Sequence, residues 1–325
     1  MLTDKLARVS IAHLPTPLES LPRLTAQLGG PELWIKRDDQ TGLATGGNKA
    51  RKLEFLVADA LAQGADTLIT AGAAQSNHAR QTAAAAAKFG LACRLVLRGE
   101  EPPQMQGNLL LDRMVGAEVV WVGARPLTEA MSQVAEELQA AGRRPYVVPY
   151  GGSNPIGASG YVAAMEELLA QCAERGLHFD HIVHPSSSGG TQAGLVVGAR
   201  ALEYTGRILG ISVDLQAGTL QRRLADLATA TSEHLGLGLI FAPEDFAVED
   251  GYLGGGYGVL GDLERAAIRT LARSEGVLLD PVYTGRAFGG LLDMIRHSAF
   301  RPGERVLFWH TGGTAGLFGY GDEVL

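Results

Sequence analysis

Hydrophobic residues recur along this chain at two spacings, one typical of helices and the other of buried strands. Leu53, Leu56, Val57 and Ala60 recur at helical spacing, and Gly64 ends that pattern. Runs rich in β-branched and apolar residues predict strands at 66–70, 93–97, 118–122, 146–148, 182–183, 208–213 and 305–309. Further helices are predicted near 77–88, 108–114, 127–140, 161–173, 191–202, 220–234, 263–274 and 287–296. Because strands and helices alternate, we predict parallel α/β sheets.

The segment 151–155, Gly-Gly-Ser-Asn-Pro, interrupts this alternation and predicts a junction between two sheets. Ligands of such folds bind beyond the carboxyl ends of strands and in clefts between domains. Four loops of this chain have that position in the predicted order of elements. They are residues 72–77, 185–191, 251–258 and 311–313.

The net charge and the cysteine content indicate which partners and which cellular location to expect. The net charge is −7, which argues against nucleic acid or an anionic membrane surface as the main partner. Anionic small molecules remain possible, because a local site can be positive on an acidic protein. The two cysteines, Cys93 and Cys172, imply no disulfide framework. Neither a signal-peptide pattern nor a membrane-spanning apolar run is evident, so we expect a cytoplasmic protein.

The loop 185–191, Pro-Ser-Ser-Ser-Gly-Gly-Thr, lies between a predicted strand and a predicted helix. Small residues leave its backbone N–H groups accessible, and the start of the helix contributes a positive dipole, so the loop is a candidate phosphate site. It lacks the Gly-Lys-Ser/Thr ending of a P-loop. A helix capped after a serine-rich turn explains the same residues, and that alternative stays open.

Residues 75–78, Gln-Ser-Asn-His, also follow a strand and begin a helix, and their N–H groups suit a carboxylate. Simple capping by Ser76 or Asn77 is the alternative. Lys49 stands between the glycine-containing loop 45–48 and the next helix. A phosphate site, a carboxylate site and a lysine at a loop together suit pyridoxal 5'-phosphate, whose aldehyde a lysine carries as a Schiff base.

Three histidines, His178, His181 and His184, are spaced three residues apart around a predicted strand. Side chains alternate between the two faces of a strand, so His181 and His184 should point in opposite directions. We therefore predict no metal site.

Five segments resemble the D-cysteine desulfhydrase and 1-aminocyclopropane-1-carboxylate (ACC) deaminase family, which consists of fold type II, tryptophan-synthase-β-like, pyridoxal-phosphate enzymes. The segments are 35–39 (Ile-Lys-Arg-Asp-Asp), 46–54 (Gly-Gly-Asn-Lys-Ala-Arg-Lys-Leu-Glu), 75–78, 279–285 (Leu-Asp-Pro-Val-Tyr-Thr-Gly) and 310–313 (His-Thr-Gly-Gly). The resemblance runs from about residue 15 to residue 320. With the junction at 151–155, it predicts two open twisted parallel-sheet domains with the active site in the cleft between them. Residues 1–50 and 160–325 would form the large cofactor-binding domain, and residues 51–159 the small one.

The resemblance also implies residue roles. Lys49 resembles the Schiff-base lysine, and Asn77 the partner of the ring hydroxyl. Tyr257 and Tyr283 resemble the two active-site tyrosines, although ordinary core packing is the alternative for both. Ser76 resembles a residue that binds the substrate carboxylate or handles a proton. The implied phosphate site consists of Ser188, Gly189, Gly190 and Thr191 with Lys52. The implied substrate-binding segment consists of Gln75, Ser76, Asn77 and His78. A homodimer is also implied.

Two positions bear on the substrate. ACC deaminases of the family carry a glutamate where this chain has Thr284, and Thr311 replaces a residue that is usually apolar in them. A hydroxyl beside the pyridine nitrogen supports a neutral ring, which suffices for β-elimination; which of the two threonines lies there stays open. We therefore predict a pyridoxal-phosphate-dependent carbon–sulfur lyase that converts D-cysteine to pyruvate, sulfide and ammonia.

Other functions remain as alternatives to this one. L-Cysteate sulfo-lyase is the first, because residues 41–44 (Thr-Gly-Leu-Ala) resemble the cysteate enzyme and the deaminases. The phosphate loop and Arg286 depart from the usual family pattern and leave the substrate open, and ACC deaminase is less favoured. A non-catalytic amino-acid sensor would need neither Lys49 nor the two tyrosines.

Overall fold

The structure, a computed structural model, describes residues 1–325 and contains ten strands and twelve helices. The strands are β1 (Leu18–Ser20), β2 (Glu32–Arg37), β3 (Thr67–Gly72), β4 (Ala92–Leu97), β5 (Glu118–Trp121), β6 (Pro145–Val147), β7 (His181–Ser186), β8 (Arg207–Ser212), β9 (Ala247–Glu249) and β10 (Arg305–His310). The helices are α1 (Pro22–Leu28), α2 (Lys49–Ala62), α3 (Asn77–Lys88), α4 (Gly107–Met114), α5 (Leu127–Ala140), α6 (Pro155–Arg175), α7 (Gly190–Ala201), α8 (Ala217–His234), α9 (Asp262–Glu275), α10 (Thr284–Arg296), α11 (Thr314–Leu317) and α12 (Gly321–Val324).

The strands form two sheets, which confirms the predicted α/β class. The larger sheet has the order β1-β2-β10-β7-β8-β9, and the smaller has the order β5-β4-β3-β6. All neighbouring strands are parallel except β1, which runs antiparallel to β2. The smaller sheet uses only strands between residues 67 and 147. The domain boundaries at residues 50 and 160 stay a prediction.

Both sheets are covered by helices, as parallel sheets require. Every residue of β3 is buried, and the apolar residues of α2 and α3 pack against those of β3 and β4. On the larger sheet, α6, α7 and α8 contribute to one apolar cluster, and α1, α9 and α10 contribute to another. None of the helices combines the length and hydrophobicity needed to cross a membrane.

Helix α6 begins at Pro155, six residues before the predicted start near residue 161. Asn154 caps it by accepting a hydrogen bond from the N–H of Gly157 at 2.9 Å. A Cβ at Gly160 would lie 2.3 Å from the carbonyl oxygen of Arg51, so the glycine allows α6 to approach α2 closely. Gly160 is therefore a helix-packing residue, whereas Gly151 and Gly152 of the predicted junction lie in the turn before α6. The short strand β9 was not among the predicted strands.

Candidate active site

A cavity lies where loops from the two sheets meet, and we call it the inner cavity. It is lined by residues 48, 49, 76–78, 150, 151, 185–189, 191, 283 and 311. Most of these residues follow the carboxyl ends of β3, β6, β7 and β10. Of the residues predicted for the site, nine line this cavity: Lys49, Ser76, Asn77, His78, Ser188, Gly189, Thr191, Tyr283 and Thr311.

Lys49 is the first residue of α2, and its position is held by the residue before it. The backbone N–H of Asn48 donates to the carbonyl of Thr311 at 2.9 Å, and the side-chain amide of Asn48 donates to Oγ1 of Thr191 at 3.0 Å. The loop that leads to Lys49 needs glycine, because a Cβ at Gly46 would lie 1.9 Å from a backbone oxygen. Burial lowers the pKa of the Lys49 amine to about 8.

Lys52 follows one helical turn later and is almost completely buried, with 1% of its surface exposed. Its Nζ donates to the carbonyl of Gly151 at 3.1 Å and to Oγ of Ser153 at 3.3 Å, and no carboxylate acts on it. Burial, with the charge of Lys49 beside it, holds the pKa of Lys52 well below its usual range. Two buried amines without a carboxylate partner favour an anionic ligand, and a phosphate dianion fits this requirement.

The loop between β7 and α7 lies beside Lys52. Gly189 has φ +94°, and a Cβ at Gly190 would lie 2.8 Å from Nζ of Lys52. The N–H groups in the first turn of α7 have no partner within the helix. Ser153 lies against this loop: its Oγ accepts from the N–H of Gly190 at 3.1 Å and is 2.8 Å from Oγ of Ser188. These residues form a small cradle of N–H and hydroxyl groups beside the Lys52 amine, an arrangement suited to a phosphate group.

Ser76 and Asn77, at the start of α3, also line the inner cavity. Oγ of Ser76 accepts from the N–H of Ala79 at 3.1 Å, so the predicted capping role is present. The hydroxyl hydrogen of Ser76 stays available to a ligand. Oδ1 of Asn77 accepts from Arg80 at 3.2 Å, and Arg80 also donates to the carbonyl of Gly46 at 2.6 Å. Arg80 therefore ties the start of α3 to the loop that leads to α2.

Thr284 and Thr311 differ in whether they reach the inner cavity. Thr284 is completely buried and does not line the cavity. Its hydroxyl donates to Oδ1 of Asp280 at 2.7 Å and accepts from the N–H of the same residue at 2.8 Å. Thr311, at the end of β10, does line the cavity. Of the two threonines, only Thr311 has surface in the inner cavity.

The two predicted tyrosines lie together. Their hydroxyl oxygens are 2.5 Å apart, and their rings meet edge to face with centroids 5.8 Å apart. Tyr283 lines the inner cavity, whereas Tyr257 lines a larger cleft outside it. Burial, with Tyr257 close by, raises the pKa of Tyr283 well above its usual range, so its hydroxyl keeps its proton at neutral pH.

Of Gln75 and His78, both predicted to bind substrate, only His78 lines the inner cavity. Gln75 does not line the inner cavity, because its amide donates to the carbonyl of Gln106 at 3.0 Å and accepts from the N–H of Asn108 at 2.9 Å. His78 does line it, with Nε2 2.8 Å from Oγ1 of Thr70. Burial and the two nearby lysines hold the pKa of His78 well below its usual range, so the ring is neutral.

Sequence reasoning did not select Tyr150, Gly151 or Ser153, which lie at the inner cavity or beside its phosphate cradle. Gly151 and Ser153 belong to the segment 151–155, which was interpreted only as a domain junction, and Tyr150 directly precedes it. One signal was available, because two glycines followed by a serine after a strand suit a close approach of backbone to a ligand.

Comparison with known proteins decides between the cofactors that such a cavity could hold. A family model described as "Pyridoxal-phosphate dependent enzyme" matches residues 9–312. The chain belongs to this family. It is therefore an enzyme that uses pyridoxal phosphate, and the predicted cofactor is confirmed.

Two groups of curated relatives are similar over nearly the whole chain. A D-cysteine desulfhydrase of Yersinia enterocolitica is 46% identical over 99% of this chain and 99% of its own length, and one of Klebsiella pneumoniae is 46% identical over 96% of each. A putative ACC deaminase of Pyrococcus abyssi is 42% identical over 100% of this chain and 97% of its own length. The predicted relationship to both groups is confirmed.

Solved structures agree with the predicted fold. The crystal structure of an ACC deaminase homologue has a TM-score of 0.91 and 42% identity, and covers 99% of this chain and 97% of that chain. A threonine deaminase of Solanum lycopersicum has a TM-score of 0.68 at 18% identity, covering 96% of this chain and 83% of that chain, and supports the fold alone. The chain therefore has fold type II.

Proposed function

We propose that the enzyme is a carbon–sulfur lyase that converts D-cysteine to pyruvate, sulfide and ammonia. The observation that carries this proposal is the wall of the inner cavity, which contains the hydroxyls of Thr311, Tyr283 and Ser76 and no carboxylate. A hydroxyl beside the ring nitrogen leaves the pyridine neutral, and a neutral ring suffices when a good leaving group departs. Relatives named D-cysteine desulfhydrase, 45–46% identical to this chain, support the same reaction.

Four groups would hold the cofactor. Lys49 would carry its aldehyde, and Lys52 with residues 188–191 would hold its phosphate through charge and backbone N–H groups. Asn77 would donate from its amide to the ring hydroxyl, because Arg80 already occupies the amide oxygen. Thr311 would lie at the ring nitrogen. When bound, the cofactor supplies an electron sink that stabilises negative charge at the substrate Cα.

The remaining residues would bind substrate and move protons. The Lys49 amine, with a pKa of about 8, would remove the Cα proton at Nζ, since a base near the working pH is efficient. Ser76 would donate to the substrate carboxylate, with Asn77 and His78 beside it. Tyr283 would contact the β-substituent with its protonated hydroxyl, and Tyr257 would hold that hydroxyl in place. Thr284 would support this segment through Asp280.

The substrate proposal is tested by incubating the purified enzyme with D-cysteine, L-cysteine, L-cysteate and ACC in parallel. We expect pyruvate and sulfide from D-cysteine, with a kcat/KM at least about 100-fold above that of the other three, since a few kcal/mol of differential contact gives that ratio. Pyruvate with sulfite from L-cysteate would replace the proposal by a sulfo-lyase. 2-Oxobutanoate from ACC would contradict the argument from the hydroxyl-lined wall.

The pKa of Lys49 predicts how cofactor uptake depends on pH. A neutral amine is needed to attack the cofactor's aldehyde, and the neutral fraction rises about tenfold per pH unit until the pKa is reached. We expect the recombination rate of cofactor-free protein to rise from pH 6 to about 8 and then to level off. Stopped-flow absorbance measures this rate. An ordinary lysine would give a rate that still rises at pH 10.

The location and assembly state follow as smaller proposals. A cytoplasmic location agrees with two cysteines that are both free and buried. A homodimer agrees with the family resemblance. Light scattering on the purified protein would give a mass near twice 34.2 kDa if the chain dimerises.

A further inference from the structure

A second and larger cleft adjoins the inner cavity, and we call it the outer cleft. Its walls include residues of α5 and α8, with the apolar side chains of Leu127, Met131 and Leu227. The inner cavity, in contrast, is mostly polar, and the rings of Tyr150 and Tyr283 are its aromatic surfaces. A ligand that extended from the inner cavity into the outer cleft would therefore pass from a polar to a more apolar environment.

Two residues, Tyr150 and Ser188, line both spaces. Ser188 is a small residue of the phosphate cradle, with its Oγ 2.8 Å from that of Ser153. Tyr150 carries the larger side chain and is half-buried. The boundary between the inner cavity and the outer cleft is therefore formed chiefly by the Tyr150 ring.

The backbone around Tyr150 is held against the phosphate cradle. Tyr150 begins a short 3-10 turn that ends at Gly152. A Cβ at Gly151 would lie 2.3 Å from Oγ of Ser188, and the carbonyl of Gly151 accepts from Lys52 at 3.1 Å. The backbone that carries the Tyr150 ring therefore contacts Ser188 and Lys52, and this backbone cannot move away without disturbing them.

The position of Tyr150 relative to the other tyrosines indicates which part of a substrate it meets. Tyr257 lies beside Tyr150 in the wall of the outer cleft, and its hydroxyl is 2.5 Å from that of Tyr283. If Tyr283 contacts the β-substituent, as proposed above, then the direction from the substrate Cβ towards the outer cleft passes the Tyr150 ring.

We propose that Tyr150 sets the upper size limit for the β-substituent by separating the inner cavity from the outer cleft. The inference rests on the proposed function and extends it to a substrate class: amino acids whose β-substituent is no larger than a thiol. Alkyl or benzyl thioethers are excluded by contact with the Tyr150 ring. Removing the ring joins the two spaces, and a thioether substituent then reaches Leu127, Met131 and Leu227.

The test compares wild type with Tyr150→Ala and Tyr150→Phe on D-cysteine, S-methyl-D-cysteine and S-benzyl-D-cysteine. The quantity of interest is the ratio of kcat/KM for the benzyl thioether to that for D-cysteine. We expect Tyr150→Ala to raise this ratio at least about tenfold, because pocket shape changes of a few methylenes have effects of that size. Tyr150→Phe keeps the ring and should keep the wild-type ratio within about threefold. An unchanged ratio in Tyr150→Ala would overturn the proposal.

A second substitution tests where the thioether goes. In the Tyr150→Ala background, Met131→Ala removes part of the apolar wall of the outer cleft, and it should reverse part of the gain for the benzyl thioether while leaving the S-methyl compound unaffected. If both compounds respond equally, the substituent does not enter the outer cleft and the proposal fails. Tyr150→Val replaces Tyr150→Ala if the alanine variant does not retain the absorbance of bound cofactor.

A binding experiment separates this proposal from the reaction proposed above. Glycine, D-alanine, D-norvaline and D-phenylalanine have no β leaving group, and their dissociation constants can be measured from changes in cofactor absorbance. In wild type the dissociation constant should be larger for D-phenylalanine than for D-alanine. In Tyr150→Ala the ratio of these two constants should fall by at least about tenfold. If wild type does not degrade D-cysteine but this pattern holds, the proposed reaction fails and the size limit stands. Loss of the pattern overturns the size limit.

Discussion

Replacing Lys49 by alanine is expected to abolish D-cysteine turnover and the yellow colour of the enzyme together. Lys49 is the amine that the inner cavity exposes to a ligand, and its lowered pKa suits both attachment of an aldehyde and proton removal. One side chain then serves two steps, so we expect kcat to fall by at least about 1,000-fold, in the upper range for loss of a catalytic base. Steady-state kinetics and the absorbance spectrum after dialysis check the two effects.

Two matched lysine variants make this experiment specific. Lys88→Ala removes an exposed lysine at the end of α3 and should change neither property. Lys52→Ala should keep the colour, because Lys49 remains, but weaken phosphate binding and raise the cofactor dissociation constant about 10- to 100-fold, the range for one charge-assisted hydrogen bond. If Lys49→Ala retained the colour after dialysis and Lys52→Ala lost it, the two roles would have to be exchanged.

The elements that could be predicted from the sequence are those in which local signals agree. Helix α3 runs from Asn77 to Lys88 as predicted, because Ser76 caps it and alanines continue it. Helix α5 also has its predicted bounds, Leu127–Ala140, since Pro126 precedes a regular apolar pattern. Helix α6 was predicted to begin too late, because its glycines allow close packing between helices, and a local pattern does not distinguish such glycines from loop glycines.

The site residues that could be predicted from the sequence are those in which the motif itself lines the cavity. The lysine, the serine-rich loop and residues 76–78 all line the inner cavity. Thr284 and Thr311 could not be distinguished, because only the fold shows that Asp280 takes up the hydroxyl of Thr284. Tyr150 carries no motif and lies far along the chain from Tyr283, so its position at the boundary of the inner cavity depends on how two sheets meet.

The second large expected effect is on stability, and it comes from a buried ion-pair network close to Lys49. Arg51 has 2% of its side chain exposed, and its guanidinium contacts Asp38 at 2.8 Å and Glu167 at 2.9 Å. Asp38 is completely buried and also accepts from the hydroxyl of Tyr161 at 2.6 Å and from Nε1 of Trp309 at 2.8 Å. The network therefore joins α2 to the segment after β2, to α6 and to β10. Because Arg51 lies two residues after Lys49, the network fixes α2 close to that lysine.

Arg51→Met should lower the free energy of unfolding by about 3–5 kcal/mol, because it removes the direct ion-pair partner of the buried Asp38. Urea denaturation of the cofactor-bound enzyme measures the change. Arg113→Met is the control, since Arg113 pairs with Glu101 and the two side chains are about one-third and one-half exposed. Its loss should be about 1 kcal/mol or less. Arg51→Lys should lie between the two variants, because a single ammonium cannot replace the forked contacts with two carboxylates.

The pH dependence of the Arg51 effect separates charge from packing. Burial alone would raise the pKa of Asp38, but Arg51 beside it brings the value down to about 2. The stabilisation is therefore complete above the usual aspartate pKa and is lost as the pH falls towards 2. Without Arg51, Asp38 becomes protonated at a higher pH and its burial then costs less. The difference in unfolding free energy between wild type and Arg51→Met should thus be largest at neutral pH and smaller at pH 4, whereas a packing defect would give equal differences.

The same variant should also bind the cofactor more weakly, because Asp38 and Arg51 flank the loop that leads to Lys49. A destabilised enzyme with unchanged cofactor affinity would mean that the network supports the fold without positioning Lys49.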